Sequence, residues 1–223
     1  MIDFNKLIDN YFSRDSRKKS IGRYYPSEIG GCLRKTWFSY KIPKEIGKDV
    51  IRIFEAGNMI HEFISEVLKS EKNPEIELIE TELPFIIDKK DFKISGRIDD
   101  IILAKIHNQK ALIEVKSSKF LPREPNENHV SQLQLYMEAT GINQGIILYI
   151  QKDNLQASWF NINYNEKKVE DIMQRFGSLD HYLKLNKVPP AEAKLKKEKN
   201  WMCSFCEYKD ECDKMPLEET NFE

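Results

Sequence analysis

The stretch Gly96–Lys119, GRIDDIILAKIHNQKALIEVKSSK, constrains the fold of this 223-residue chain more than any other segment. Two apolar, largely β-branched runs flank the polar group HNQK (His107–Lys110), the pattern of two strands joined by a hairpin turn. Inside those runs stand Asp99, Glu114 and Lys116. A buried carboxylate costs several kcal/mol unless a cation or good hydrogen bonds compensate it. Two carboxylates and a lysine at adjacent strand ends point to a catalytic metal as the missing cation.

The rest of the chain supplies the surroundings. Residues 1–20 read as a short helix followed by a basic, mobile segment, and Ser27 and Glu28 can open a helix after Pro26. From Ile51 to Ser70, the residues Ile53, Ala56, Ile60, Ile64 and Val67 recur at helical spacing, with Gly57 and His61 one turn apart on the neighbouring face. Ile76–Asp88, Phe92–Lys105 and Ala111–Lys116 read as strands. After a loop with two prolines, FLPREPNEN, the helical pattern of Asn128–Thr140 stops at Gly141. GIILYI and ASWFNI are two further strands, and Asn165–Leu185 is a long amphipathic helix. Pro189–Pro190 then ends the regular pattern before a lysine-rich stretch and a cysteine cluster. The order α-β-β-β-α-β-β-α predicts an α/β fold with a mixed central sheet flanked by helices. The length suits one domain, residues 1–223, with its core over about residues 51–188.

Composition adds boundaries. Hydrophobic residues at 40% and charged residues at 32% are those of a globular protein. No apolar run approaches the ~18 residues that span a bilayer. The first residues lack the apolar core of a secretory signal, so the cytoplasm is the expected compartment. With 35 basic and 36 acidic residues, any polyanion site must be a local patch.

Strand alternation puts Glu114 and Lys116 on one face, and a hairpin brings the Asp99 strand roughly 5 Å away. The two carboxylates can then share one cation, and oxygen ligands suit Mg²⁺ or Mn²⁺. Such an ion polarises a phosphate oxygen and activates water, while Lys116 orients that water or neutralises developing charge. Spacing alone also fits Asp99 capping a turn and Glu114 pairing with Lys116 at a sheet edge. A lone helical histidine is more often structural, and Gln132 and Tyr136, at i and i+4, form a common kind of pair.

Their order along the chain is more specific. Gly57-x-x-x-His61, Gly96-x-x-Asp99, Glu114-Val115-Lys116 and Gln132-x-x-x-Tyr136 resemble the motif series of RecB-type nucleases in the PD-(D/E)xK superfamily. The resemblance implies a restriction-endonuclease-like core. It implies that His61, Asp99, Glu114 and the backbone carbonyl of Val115 bind the metal, that Lys116 is catalytic, and that Gln132 and Tyr136 position the substrate strand. The family's proline before the aspartate is Ile98 here, a departure that removes no ligand. An imidazole among the ligands implies Mn²⁺ at least as active as Mg²⁺.

Cys32, Cys203, Cys206 and Cys212 are the whole cysteine set. In a reducing compartment metal ligation is expected over disulfides; four thiolates suit Zn²⁺ or an iron–sulfur cluster, and unrelated free thiols are the remaining alternative. The one-plus-three arrangement flanking a RecB-type core resembles the AddB nuclease domain and the CRISPR-associated exonuclease family numbered four among the Cas proteins. That resemblance implies a [4Fe–4S] staple formed by residues 24–40 and 200–213. Beside Cys32, Arg34 and Lys35 are expected to contact phosphate, whereas Trp37 and Phe38 fit either base stacking or core packing. The basic runs Arg14–Lys19 and Lys194–Lys199 read as solvated faces. The family resemblance implies a DNA exonuclease acting on single-stranded ends and trimming spacer precursors beside Cas integrase proteins. A stand-alone viral or DNA-repair nuclease shares the chemistry, and a non-catalytic iron–sulfur nucleic-acid-binding module is the alternative from another class.

Overall fold

The computed structural model describes residues 2–12 and 19–222. Of the basic run Arg14–Lys19, all but Lys19 lies outside these residues. In chain order the elements are α1 (Phe4–Phe12), β1 (Arg23–Tyr24), α2 (Leu33–Lys41), α3 (Lys48–Lys69), β2 (Ile76–Asp88), β3 (Lys93–Ala104) and β4 (Gln109–Ser118). They continue with α4 (Glu127–Thr140), β5 (Gln144–Gln151), β6 (Ala157–Asn163), α5 (Glu166–Lys184), β7 (Lys187–Val188), α6 (Glu192–Leu195), α7 (Lys209–Asp213) and β8 (Thr220–Asn221). The expected mixed sheet with flanking helices is present. β2–β3 and β3–β4 are antiparallel, β4–β5 is parallel, and β5–β6 is antiparallel.

Two local expectations are corrected. The chain after Pro26 makes a single 3-10 turn, Pro26–Glu28, in which the Glu28 carboxylate accepts the Tyr25 amide. Gly30 and Gly31 then separate it from α2, which starts at Leu33. The hairpin turn occupies Lys105–Asn108 rather than His107–Lys110, because the ladder closes at Ala104–Gln109. Asn108 takes the left-handed backbone there, φ 48°, which asparagine tolerates better than most residues. The stop at Gly141 is as expected, with φ 70° and its amide on the Met137 carbonyl.

β3 shapes the sheet where the site forms. Along one edge it pairs with β2 over its full length. The other edge is divided, with β4 on Asp100–Ala104 and β1 on Lys93–Ile94. Between them the strand edge has no strand partner among the described residues, and β4 continues along β5 as far as Ser118. The sheet therefore opens like a Y just beyond Asp100.

The helices cover both faces. α3 lies over Ile102, Ile113, Val115 and Ile150 through Ile64. On the other face Trp37 and Phe38 of α2, Leu133 and Met137 of α4, and Phe176 and Leu179 of α5 pack with Ile94, Leu112 and Ile147. Trp37 and Phe38 are fully buried, so core packing is their role.

Candidate active site

Asp99 stands in the opening of the Y. One residue past the last β3–β4 pair, Asp100–Ile113, its Oδ2 accepts the Val115 amide at 2.8 Å. Gly96, three residues earlier, is required by close packing. A Cβ there would lie 2.9 Å from the Phe85 ring and 3.1 Å from Pro26 Cδ.

On β4, alternation turns Ile113 and Val115 under α3 and leaves Glu114 on the opposite face, toward α4. Glu114 is wholly buried and neither of its oxygens is in a well-formed hydrogen bond. The Lys116 ammonium forms an ion pair with its Oε1, and the Tyr136 hydroxyl lies beside it. From α3, His61 Nδ1 approaches Asp99 Oδ2 at 3.4 Å. Because the strands part at this point, a helix on one face and side chains on the other meet at Asp99. Gln132 Nε2 donates to the Tyr136 hydroxyl at 2.5 Å, one helical turn apart on α4.

The electrostatics match an anionic nest closed by one lysine. Burial pushes the Glu114 carboxyl up to about 7, Lys116 opposes this, and Asp99 reinforces it. Burial pulls the Lys116 ammonium down, but Glu114 and Asp99 outweigh it and the net shift is upward. For His61, burial is likewise outweighed by Asp99. Two carboxylates thus share one lysine and one histidine, and the Glu114 oxygens lack a well-formed hydrogen bond from any described donor.

Three polar residues beside this nest escaped the sequence reading. Asp100 is buried under α3, with Oδ1 on the Ser65 hydroxyl at 2.8 Å and Oδ2 without a partner. Its signal was the same as that of Asp99, a carboxylate inside an apolar run. Tyr149 is opposite Lys116 in the parallel β4–β5 register, and its hydroxyl contacts His129 Nδ1 at 2.8 Å. His129 lies on the Gln132–Tyr136 stripe of α4, one turn nearer the helix start. Burial, aided by Lys116, holds its imidazole down at about 4.

Arg34 does not reach a phosphate path, which corrects the expectation. It is fully buried, and its guanidinium donates to the carbonyls of Pro189, Pro216, Leu217 and Glu218 at 2.6–3.1 Å. Lys35 pairs with Glu207 at 2.9 Å. Both border the cysteines rather than the carboxylates.

Cys32, Cys203, Cys206 and Cys212 are free thiols lining one cavity of about 210 Å³. Phe38, Trp201, Met202, Phe205 and Tyr208 supply much of its remaining wall. Arg175 bridges to Glu192 and donates to the carbonyls of Ile29 and Gly31, while Glu192 accepts the Leu33 amide. Arg34 and Arg175 thus fasten the Cys32 segment to the C-terminal segment. Four soft donors around an apolar cavity fit a thiolate-bound metal centre. Among the described residues, no three histidine, cysteine or acidic side chains are gathered tightly enough to form a ready metal cage.

Comparison with known proteins bears on the family and the fold. The sequence model of the PD-(D/E)XK nuclease superfamily matches residues 26–213. The chain is 26% identical over 203 residues to the CRISPR-associated exonuclease Cas4 of Saccharolobus solfataricus, covering 90% of this chain and 91% of that one. The crystal structure of SSO0001 superposes with a TM-score of 0.66 at 22% identity, covering 97% and 98% of the two chains. LHK-Exo of Laribacter hongkongensis, in complex with dAMP, matches at TM-score 0.50 and 15% identity over 83% and 95%. A sheet split at Asp99, a buried Glu114 beside Lys116 and a family match over most of the sequence lead to one conclusion: the chain belongs to the PD-(D/E)XK nuclease superfamily.

Proposed function

We propose that the protein is a divalent-metal-dependent DNA exonuclease that works from single-stranded ends. The observation that carries this reading is the fully buried Glu114 carboxylate, whose oxygens have no well-formed hydrogen bond although Asp99, His61 and Lys116 crowd around it. His61, Asp99, Glu114 and the Val115 carbonyl would hold Mn²⁺ or Mg²⁺. When bound, such an ion supplies Lewis-acid polarisation of the phosphate and lowers the pKa of water. Lys116, charged and held by Glu114, orients the attacking water and neutralises charge growing on the phosphate. Gln132, half-buried on α4, would position the substrate strand, and Tyr136, buried behind it with its hydroxyl accepting from Gln132, would act by holding Gln132 in place beside Glu114.

The four cysteines would hold a [4Fe–4S] cluster that staples residues 24–40 to 200–213 around one nuclease domain, residues 1–223. In this role the cluster closes the fold and takes no part in hydrolysis. A Cas4-named relative of similar length supports trimming of spacer precursors together with Cas integrase proteins in the cytoplasm. No helix among the described residues is long and apolar enough to cross a membrane.

The deciding experiment is digestion of end-labelled single and double strands with Mn²⁺, Mg²⁺ or chelator, comparing the unaltered protein with Glu114→Ala and Lys116→Ala. Stepwise shortening of single strands is expected, at least as fast with Mn²⁺ as with Mg²⁺ and lost in both variants. Cleavage that survives chelation, or that persists in Glu114→Ala, overturns the reading.

A further inference from the structure

We propose that Phe120, flanked by Lys119, is a stacking platform for an unpaired DNA base next to the cleavage site. This rests on the nuclease reading of the Glu114 site and adds the feature that would favour a single strand there. β4, which carries Lys116, ends at Ser118, and Phe120 follows two residues later. Four extended residues span at most about 14 Å, so the Cα of Phe120 lies within that distance of the Cα of Lys116.

The loop that carries Phe120 is anchored. Ser118 Oγ donates to the Phe120 carbonyl at 2.9 Å, and the Lys152 amide donates to the Ser118 carbonyl at 3.0 Å. At the far end the Asn126 amide donates to the Tyr149 hydroxyl at 3.0 Å. That oxygen then has its own proton free for His129 Nδ1, which contacts it at 2.8 Å. Pro122 and Pro125 restrict the backbone between these anchors, and Leu121 packs against the core.

On this fixed loop Phe120 nonetheless remains 72% exposed. Burying a phenylalanine side chain is worth about 1.5–3 kcal/mol, and the anchored loop forgoes that gain. Lys119 Nζ stands 5.3 Å from the ring centroid. Lys119 and Arg123 have no ion pair among the described residues, and Glu124 is the loop's one acid. An open aromatic face with an adjacent cation is the combination that binds a single strand, one group for the base and one for the phosphate. Bases inside a duplex already stack on each other, so the fitting ligand is a single strand or a frayed end.

The test uses full-length protein and oligonucleotides carrying 2-aminopurine at successive positions from the end. In a Glu114→Ala background, binding should quench the fluorescence at one or two positions. Phe120→Ala should abolish that quench and Phe120→Trp should retain it. In the otherwise unaltered protein, Phe120→Ala should lower kcat/KM on single strands about 5- to 100-fold, the size of one lost base–aromatic stack. On a single strand that is abasic at the quenched position, where no base is present to stack, the same change should alter kcat/KM by less than about twofold. An unchanged quench pattern, or equal losses on both substrates, overturns the platform. Absence of cleavage by the unaltered protein would instead refute the nuclease reading, and the quench would still decide the role of Phe120.

Discussion

The Asp99 carboxylate accepts the backbone amide of Val115 at 2.8 Å, so a side chain from β3 satisfies β4 at the point where the two strands stop pairing. One group thus both supports the sheet's opening and supplies charge inside it. The two roles can be separated by Asp99→Asn, whose side-chain oxygen still accepts the amide but carries no charge. Asp99→Asn should melt within about 2 °C of the unaltered protein, since a hydrogen bond between two neutral groups remains. Its nuclease activity should fall at least about 100-fold through lost electrostatic stabilisation. Asp99→Ala should lose activity to the same extent and also about 1–3 kcal/mol of stability, because the Val115 amide is left unpaired. Thermal melts beside an end-label assay check this, and equal melting of the two variants would contradict the structural half.

Arg34 shows where a residue's type misleads. Next to a cysteine and among aromatics it has the composition of a nucleic-acid patch, yet it is sealed inside and serves four carbonyls of the C-terminal segment. Arg34→Lys should therefore fail to rescue. An ammonium has three donors on one point, and the guanidinium fork is what reaches both sides. Removing a buried, fully bonded cation costs about 3–5 kcal/mol, a fall in melting temperature of roughly 6–20 °C for a chain of this size. Both Arg34→Ala and Arg34→Lys should show it, whereas Lys35→Ala, which breaks a half-exposed pair, should change melting by less than about 2 °C. A stable Arg34→Ala that binds DNA more weakly would restore the phosphate role.

The central β-hairpin, the helix bearing His61 and the helix bearing Gln132 and Tyr136 were legible because each combines strong periodicity with a clear stop such as Gly141. Asp99, Glu114 and Lys116 stood out because charges inside apolar runs have few inexpensive explanations, and the structure brings them together. Asp100 carried the same signal as Asp99 and was passed over, while His129 and Tyr149 gave none. Their importance depends on which strand neighbours which, and register is a property of pairs rather than of a segment. The C-terminal region, residues 187–222, was illegible for another reason. Its elements are short, and the contacts that hold it, from Arg34 and Arg175, come from residues up to 184 positions away.

Glu192 gives that distant fastening a pH signature. Burial pushes its carboxyl up, but the Arg175 guanidinium and the Leu33 amide outweigh this and hold it below the ordinary carboxylate range. A carboxylate depressed by folding contributes stability above its unfolded pKa and loses it as the pH falls through the folded value. Glu192→Gln should therefore melt lower than the unaltered protein at neutral pH by about 4–8 °C, the equivalent of about 2 kcal/mol. The gap should close as the pH drops from about 5 towards 2. Melting curves at stepped pH measure it, and a gap of constant size would show that Glu192 acts by packing instead of charge.

The cysteine cavity makes the strongest demand on the preparation. Four thiols from segments roughly 170 residues apart line one space of about 210 Å³ walled largely by apolar side chains. Linking such distant points removes chain entropy from the unfolded state. By the loop-closure relation for disulfides, applied to a metal centre, this amounts to about 5 kcal/mol. Protein purified without oxygen should be brown, contain about four irons per chain, and bleach on oxidation with a fall in melting temperature of about 10 °C or more. Cys32→Ala should prevent that colour even though it removes one ligand of four, because it severs the link to the N-terminal segment. The carboxylate site lies in the separate opening between β3 and β4, so enough Cys32→Ala protein kept folded at low temperature should retain metal-dependent cleavage. Colourless protein with one zinc per chain would replace the cluster by a zinc site. Cleavage abolished in cold, folded Cys32→Ala would mean that the staple also shapes the catalytic opening.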